Sequence, residues 1–260
     1  MVKNILYIKN FSSGNNLECL KFFSFINVKC IESIELNNYD KEQLIELIDI
    51  YDIIILGGGN QHLTSSNILI DYPEISNQIE LVKVISSKCA LSNKILIGIC
   101  LGCQIIALSF GHSIKPMNKL AIGFNYMDLD TINHQYILNS NDRYLANLDY
   151  KLLSKSFSFH YDCIETSNFS NLQNSSNSHN ADKLVVVAKS IDNIPYIITN
   201  TNSNIYGFQF HPEICSTSIL NVINVFFENK IDNYEHLLNS SNHTYLEKIQ
   251  THFFNIFINE

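Results

Sequence analysis

The chain is poor in positive charge, in long apolar runs and in repeated cysteine spacings, and each shortage removes a class of function. It carries 17 basic residues against 25 acidic ones, a formal net charge of −8, and Arg143 is its single arginine. Such a balance supplies no basic face to displace counterions, which excludes a general nucleic-acid binder and leaves only a nucleotide held in one local pocket. No stretch approaches the roughly 18 uninterrupted apolar residues of a membrane span. The N-terminal "MVKNILYIKN" lacks the apolar core and small-residue site of a secretory signal. Seven cysteines, at 19, 30, 89, 100, 103, 163 and 215, are odd in number and follow no repeating spacing. Neither a membrane nor an oxidising compartment is therefore expected, and a cytoplasmic location with reduced thiols is. No internal repeat is present.

What is present is the material of a folded core: 46% of the 260 residues are hydrophobic and 16% charged. Apolar runs mark strands at 4–10, 26–34, 52–59 and 94–99. "DIIILGGG" (52–59) has four aliphatics without alternation, stopped by three glycines, the pattern of a strand buried on both faces. Helical spacing fills the intervals, over 16–25, 39–51, 77–93 and 103–112. This alternation predicts βαβ units and hence an α/β, three-layer αβα fold around a mainly parallel, mixed sheet. Beyond 112 the pieces shorten and alternate, at 124–132, 156–165, 183–190, 195–200 and 205–210, and read as hairpins and edge strands on the same framework. The Asn/Ser-rich stretch 167–182 reads as a flexible loop, and 216–230 as a last helix on the sheet. One domain is expected over 1–230. A tail, 231–260, follows, whose apolar "HFFNIFI" (252–258) would dock either on the body or on a partner.

"GICLGCQ" (98–104) follows a buried strand and allows three readings. As half of a zinc site it lacks a second Cys-x-x-Cys or a His pair, so no metal is expected. As a dithiol at the start of a helix it would be well placed, but its glycines would have no role. As a nucleophile turn, Gly98 and Gly102 flank Cys100 in a G-x-C-x-G pattern, the thiol form of a sterically tight strand-to-helix elbow. A cysteine there feels the positive end of the helix, which favours the thiolate. The amide of Leu101 points into the same space, and one such oxyanion donor lowers a barrier by about 3 kcal/mol.

A second donor is sought in "LGGGN" (56–60), which alone is a tight turn but beside Cys100 offers amides with no Cβ in the way. Gly57 to Asn60 is not a phosphate loop, since no Gly-Lys-Ser/Thr follows. A cysteine nucleophile also needs a base. Most of the nine histidines lie in polar loops. "GFQFHPE" (207–213) differs, because an apolar strand ends at His211, Pro212 stiffens the turn and Glu213 stands where it can orient the imidazole. Alone this is a surface turn; with the elbow it reads as base and carboxylate.

Taken together, "LGGGN", "GICLGCQ" and "FQFHPE" resemble, in that order, the motifs of class I (triad-type) glutamine amidotransferases, over roughly residues 4–230. The resemblance implies a flavodoxin-like fold and hydrolysis of glutamine to glutamate and ammonia without a cofactor. It implies Cys100 as nucleophile, His211 as base and acid, Glu213 as its orienting group, and the amides of Gly59 and Leu101 as the oxyanion hole. Gly58 and Gln104 fall at positions facing the bound L-glutamine. "FSFHYDCIE" resembles the His-x-Asp stretch of stand-alone members similar to the glutaminase part of GMP synthase, placing His160 and Asp162 on the substrate side unless they only build a hairpin. Cys103, at a position the family varies, reads as a packed thiol. Two departures stand out. The family's Ser and Pro around the glycine pair are Gly57 and Asn60 here, which would loosen the oxyanion loop. No synthase region follows the glutaminase part, so the ammonia acceptor is expected on a separate synthase subunit. A γ-glutamyl hydrolase or peptidase would use the same residues, and a silent regulatory subunit would keep the fold without turnover.

Overall fold

A computed structural model describes residues 3–10, 27–65, 67–87, 93–166, 182–202, 204–220, 237 and 239–258. Nine strands form one sheet: β1 (Asn4–Asn10), β2 (Asn27–Glu32), β3 (Ile53–Gly59), β4 (Ile95–Ile99), β5 (Ile114–Asp128), β6 (Lys155–Ile164), β7 (Leu184–Ser190), β8 (Pro195–Asn200) and β9 (Ile205–Phe208). Their order is β2-β1-β3-β4-β9-β8-β7-β5-β6. The five strands from β2 to β9 run parallel to their neighbours, and the remaining ladder is antiparallel. The expected framework with hairpins added beyond residue 112 is what forms.

Strand periodicity divides the core in two. Ile5, Tyr7, Ile53, Ile55, Ile95, Ile97 and Ile99 share one cluster, while Leu6, Ile8, Ile54, Leu56 and Leu96 share another. Successive side chains on a strand point to opposite faces, so a run with no polar gap requires cover on both. Helices α1 (Lys41–Ile50), α3 (Pro73–Ser87) and α4 (Leu101–Ser109) cover the second face. The short α2 (Ile68–Asp71) precedes α3.

The first face is covered by residues whose helices the sequence pattern does not reveal: α5 (His134–Ser140), α6 (Arg143–Asn147), α7 (Tyr150–Leu153) and α8 (Ser240–Phe257). Three of these are one or two turns long, too short for a periodic signal, and are set by caps. Asp142 accepts from the amides of Tyr144 and Leu145, and Asp149 from that of Leu152. The strand expected at 124–132 is, up to Asp128, the end of a longer one whose start is obscured by the exposed, polar "KPMNK" at 115–119; Leu129–Thr131 form instead a 3-10 turn, where the Asp128 side chain accepts from the Asp130 amide.

The tail docks on the chain's own body. Asn239 caps α8 by accepting from the amide of Asn242, and Ile249, Phe253 and Phe257 enter the core. The helix expected at 16–25, nearly all of the loop at 167–182 and most of the helix at 216–230 lie outside the described residues. Residues 216–220 are helical. Among the described residues no helix is long and apolar enough to cross a membrane.

Candidate active site

β4 ends at Ile99 and α4 begins at Leu101, so Cys100 alone turns the chain. It does so at φ 53° and ψ −103°, outside the regions L-residues normally occupy. Backbone strain of this kind costs of order 1–3 kcal/mol and persists only where the surroundings enforce it. Here the Cys100 amide donates to the Phe208 carbonyl at 2.8 Å and the Gln104 amide to the Cys100 carbonyl at 3.2 Å. Both flanking glycines are required, for different reasons. A Cβ on Gly98 would stand 2.5 Å from the backbone of Gly102, and one on Gly102 would run into the Leu56 carbonyl of β3.

Phe208 ends β9, and the chain continues to His211, whose amide donates to Phe157 of β6 at 2.8 Å. His211 Nδ1 lies 2.8 Å from Glu213 Oε1, the ring is near enough to Cys100 to feel its charge, and the Cys100 sulfur donates to the Phe159 carbonyl at 3.5 Å. Burial alone pulls the imidazole toward neutrality. Glu213 and Cys100 outweigh it and hold His211 well above its usual range. The three side chains thus form a contiguous line from sulfur to ring to carboxylate, all largely buried.

The glycine strand end faces this line. A Cβ on Gly58 would stand 3.0 Å from His211 Cε1 and 3.7 Å from Cys100 Cβ, and one on Gly59 would stand 2.5 Å from Leu101 Cδ2. Gly57, in place of serine, leaves the room that the Tyr7 hydroxyl occupies, 2.6 Å from where its Cβ would be. Side chains from outside the glycine run hold this loop. Asn10 Nδ2 donates to the Gly57 carbonyl at 3.0 Å, and Gln61 Nε2 donates to the Asn10 carbonyl and to Glu74, each at 3.1 Å.

A cavity of about 340 Å³ opens over the sulfur, walled by the 59–62 loop, by Leu101 and Gln104, and by 159–162 of β6. Asp162 organises the far wall. Its carbonyl accepts from Gln104 Nε2 at 2.9 Å and lies 3.0 Å from His160 Nδ1. Its carboxylate lies 3.1 Å from Nδ1 of the half-exposed His62. Burial lowers His160 to about 4, against the opposing hydrogen bond from Asp162 and with a further push from His211, so it is neutral near pH 7.

Residues 24–229 match the family model of class I glutamine amidotransferases. The chain belongs to that family. It is 29% identical over 189 residues to a glutamine amidotransferase-like protein of Acanthamoeba polyphaga mimivirus, covering 73% of this chain and 68% of that one. Its fold is similar to that of a Thermotoga maritima glutamine amidotransferase, with a TM-score of 0.67, 16% identity and full coverage of both chains. It is similar also to a GMP synthase subunit of Thermoplasma acidophilum, with a TM-score of 0.55, 18% identity and coverage of 98% and 94%.

As an amidotransferase family member, the chain brings Gly59, Cys100, Leu101, Gln104, His160 and Asp162 to one cavity, while Gly58, His211 and Glu213 lie outside its lining, Gly58 against the His211 ring and His211 against Glu213. Gln104 reaches it with its amide nitrogen already committed, to Asp162 and, at 3.4 Å, to Gln209 Oε1, so it braces β6 as well as lining the site. Cys103 is fully buried, and burial first, then Cys100, raises its thiol well above the ordinary range. Its sulfur packs against Gly207. Sequence reasoning passes over Gln61, His62, Phe159 and Tyr161. His62 had one visible signal, a titratable side chain three residues beyond the glycine strand end. Among the described residues no group of three or more His, Cys, Asp or Glu side chains is arranged to hold a metal.

Proposed function

We propose that the protein hydrolyses the side-chain amide of L-glutamine through a Cys100 thioester, giving glutamate and ammonia. The observation that carries this is the strained elbow at Cys100, which shares the glycine end of β3 with the hydrogen-bonded His211–Glu213 pair. The Cys100 thiolate attacks the carboxamide carbon, forming the C–S bond and a tetrahedral oxyanion that the Gly59 and Leu101 amides receive. The His211 imidazolium, held charged by Glu213, gives its proton to the departing nitrogen as the C–N bond breaks. A γ-glutamyl thioester and ammonia result. Neutral His211 then takes a proton from water, whose oxygen attacks the thioester, and collapse releases glutamate and the thiolate.

Gly58, His160 and Asp162 line the substrate side in this mechanism, with Asp162 supplying a carboxylate for the substrate's ammonium group. The separate enzyme receiving ammonia is a synthase. Support comes from similar structures, one named as a GMP synthase subunit. Another is named as the glutaminase domain of a Trypanosoma brucei CTPS, at TM-score 0.56 and 12% identity over 88% of this chain and 94% of that one. The test is glutamate release from glutamine by the parent and by Cys100→Ala. A parent that releases none, or a C100A variant that matches it, overturns the proposal.

A further inference from the structure

We infer that Gln250, on the C-terminal helix α8, is a positioning residue for the His211–Glu213 pair. This role rests on the proposed hydrolysis by Cys100, His211 and Glu213. Gln250 Nε2 donates to the Glu213 carbonyl at 2.6 Å, and both residues are buried. Glu213 reaches His211 through Oε1 alone. Its Oε2 is buried and has no hydrogen-bond partner among the described residues, so no second side chain fixes the carboxylate. Its placement depends instead on the backbone that carries it.

That backbone is held at three points. The His211 amide donates to the Phe157 carbonyl at 2.8 Å, the Glu213 carbonyl accepts from Gln250, and Ser216 Oγ lies 2.8 Å from His243 Nδ1. Two of the three come from α8. The helix is itself anchored next to the catalytic loop, with the Phe253 and Phe257 rings 5.2 and 5.8 Å from that of Phe208, the residue that receives the Cys100 amide. Helix α8 lies wholly beyond residue 229, where the family match ends. A segment outside the common family region therefore holds the acid of the triad from behind.

A displaced Glu213 weakens support for the imidazolium without altering the walls that receive substrate. Three groups interact with the His211 ring: Glu213 from its own loop, Cys100 from the elbow and His160 from β6. Loss of the first leaves the protonated ring less favoured. Gln250→Met keeps the side chain's length and removes its donor. Gln250→Glu donates only when protonated.

The experiment compares parent, Q250M and Q250E in glutamine hydrolysis, in the NMR titration of the His211 ring, and in folding by circular dichroism. Q250M is expected to lose about tenfold in kcat, to keep KM within about twofold, and to titrate about one pH unit lower at His211. The activity of Q250E relative to parent is expected to rise as the pH falls. A Q250M protein with parental kcat and His211 titration overturns the assignment, as does a loss of kcat that follows unfolding while the titration stays put. Should Q250M not fold, Q250E read in the same two ways decides. A parent inactive on glutamine defeats the hydrolase proposal and leaves the His211 titration to decide on Gln250.

Discussion

His62 lies across the mouth of the catalytic cavity from Asp162, Nδ1 to Oδ2 at 3.1 Å, one partner half-exposed and the other almost fully buried. The pair joins the glycine loop to β6 over the sulfur. It also means that the carboxylate proposed to receive the substrate's ammonium already has a partner, so the His62 ring and the ammonium compete for one site. Removing the competitor and removing the site should act in opposite directions. Asp162→Asn is expected to raise KM for glutamine about tenfold, while His62→Ala lowers it about twofold. Steady-state kinetics of both variants check this, and a rise in KM for H62A contradicts it.

His211 links catalysis to stability. Its folded value lies above the ordinary 6.5 because Glu213 and Cys100 outweigh burial. A group raised on folding adds stability that is complete below its unfolded value and disappears as the pH rises through its folded one. Glu213→Gln removes the carboxylate's share. Urea titrations should therefore show the gap between parent and E213Q widest near pH 6 and narrowing at alkaline pH. A gap that widens with pH contradicts the assignment.

Two glycine substitutions separate catalysis from folding. Gly59→Ala puts a methyl group against Gln61 Oε1, 2.5 Å from Leu101 Cδ2 and 2.8 Å from Asn10 Cβ, and since the Asn10 contact is next to backbone the glycine loop itself must shift. The expected result is a folded protein with kcat down about a hundredfold, the loss typical of one oxyanion donor. Gly102→Ala drives its methyl into the Leu56 backbone, which cannot move without distorting β3. A destabilisation of about 3 kcal/mol is expected by chemical denaturation.

The two thiols of "GICLGCQ" should part company chemically. An electrophilic glutamine analogue is expected to attach once, at Cys100, as located by peptide mass spectrometry. Cys103, buried and held protonated, should stay unlabelled. Cys103→Ser is expected to keep activity within about threefold, since the sulfur's contact is with Gly207.

The elbow at Cys100, the His211–Glu213 pair and the parallel half of the sheet could be read from the chain because each imposes a local rule. Cys100 needs glycines two residues away on either side, and β3 and β4 need unbroken aliphatics to face two cores. What could not be read depends on contacts distant in sequence. Asn10 secures Gly57 across 47 positions. His62 meets Asp162 across 100. Gln250 reaches Glu213 across 37, from a helix whose buried face holds two amide side chains, Asn242 and Gln250, among its apolar ones. Polar residues in a buried stripe dilute the helical pattern, and their partners can be named only once the chain is folded.

Leu56 and Gly98 are paired across β3 and β4, and the Leu56 carbonyl also fills the space that a side chain on Gly102 would need. Three residues after Leu56 comes Gly59; two after Gly98 comes Cys100. The proposed attacking atom and the proposed charge receptor thus follow two strands joined in one hydrogen-bonded ladder, so their spacing is gauged by backbone rather than by side-chain rotamers.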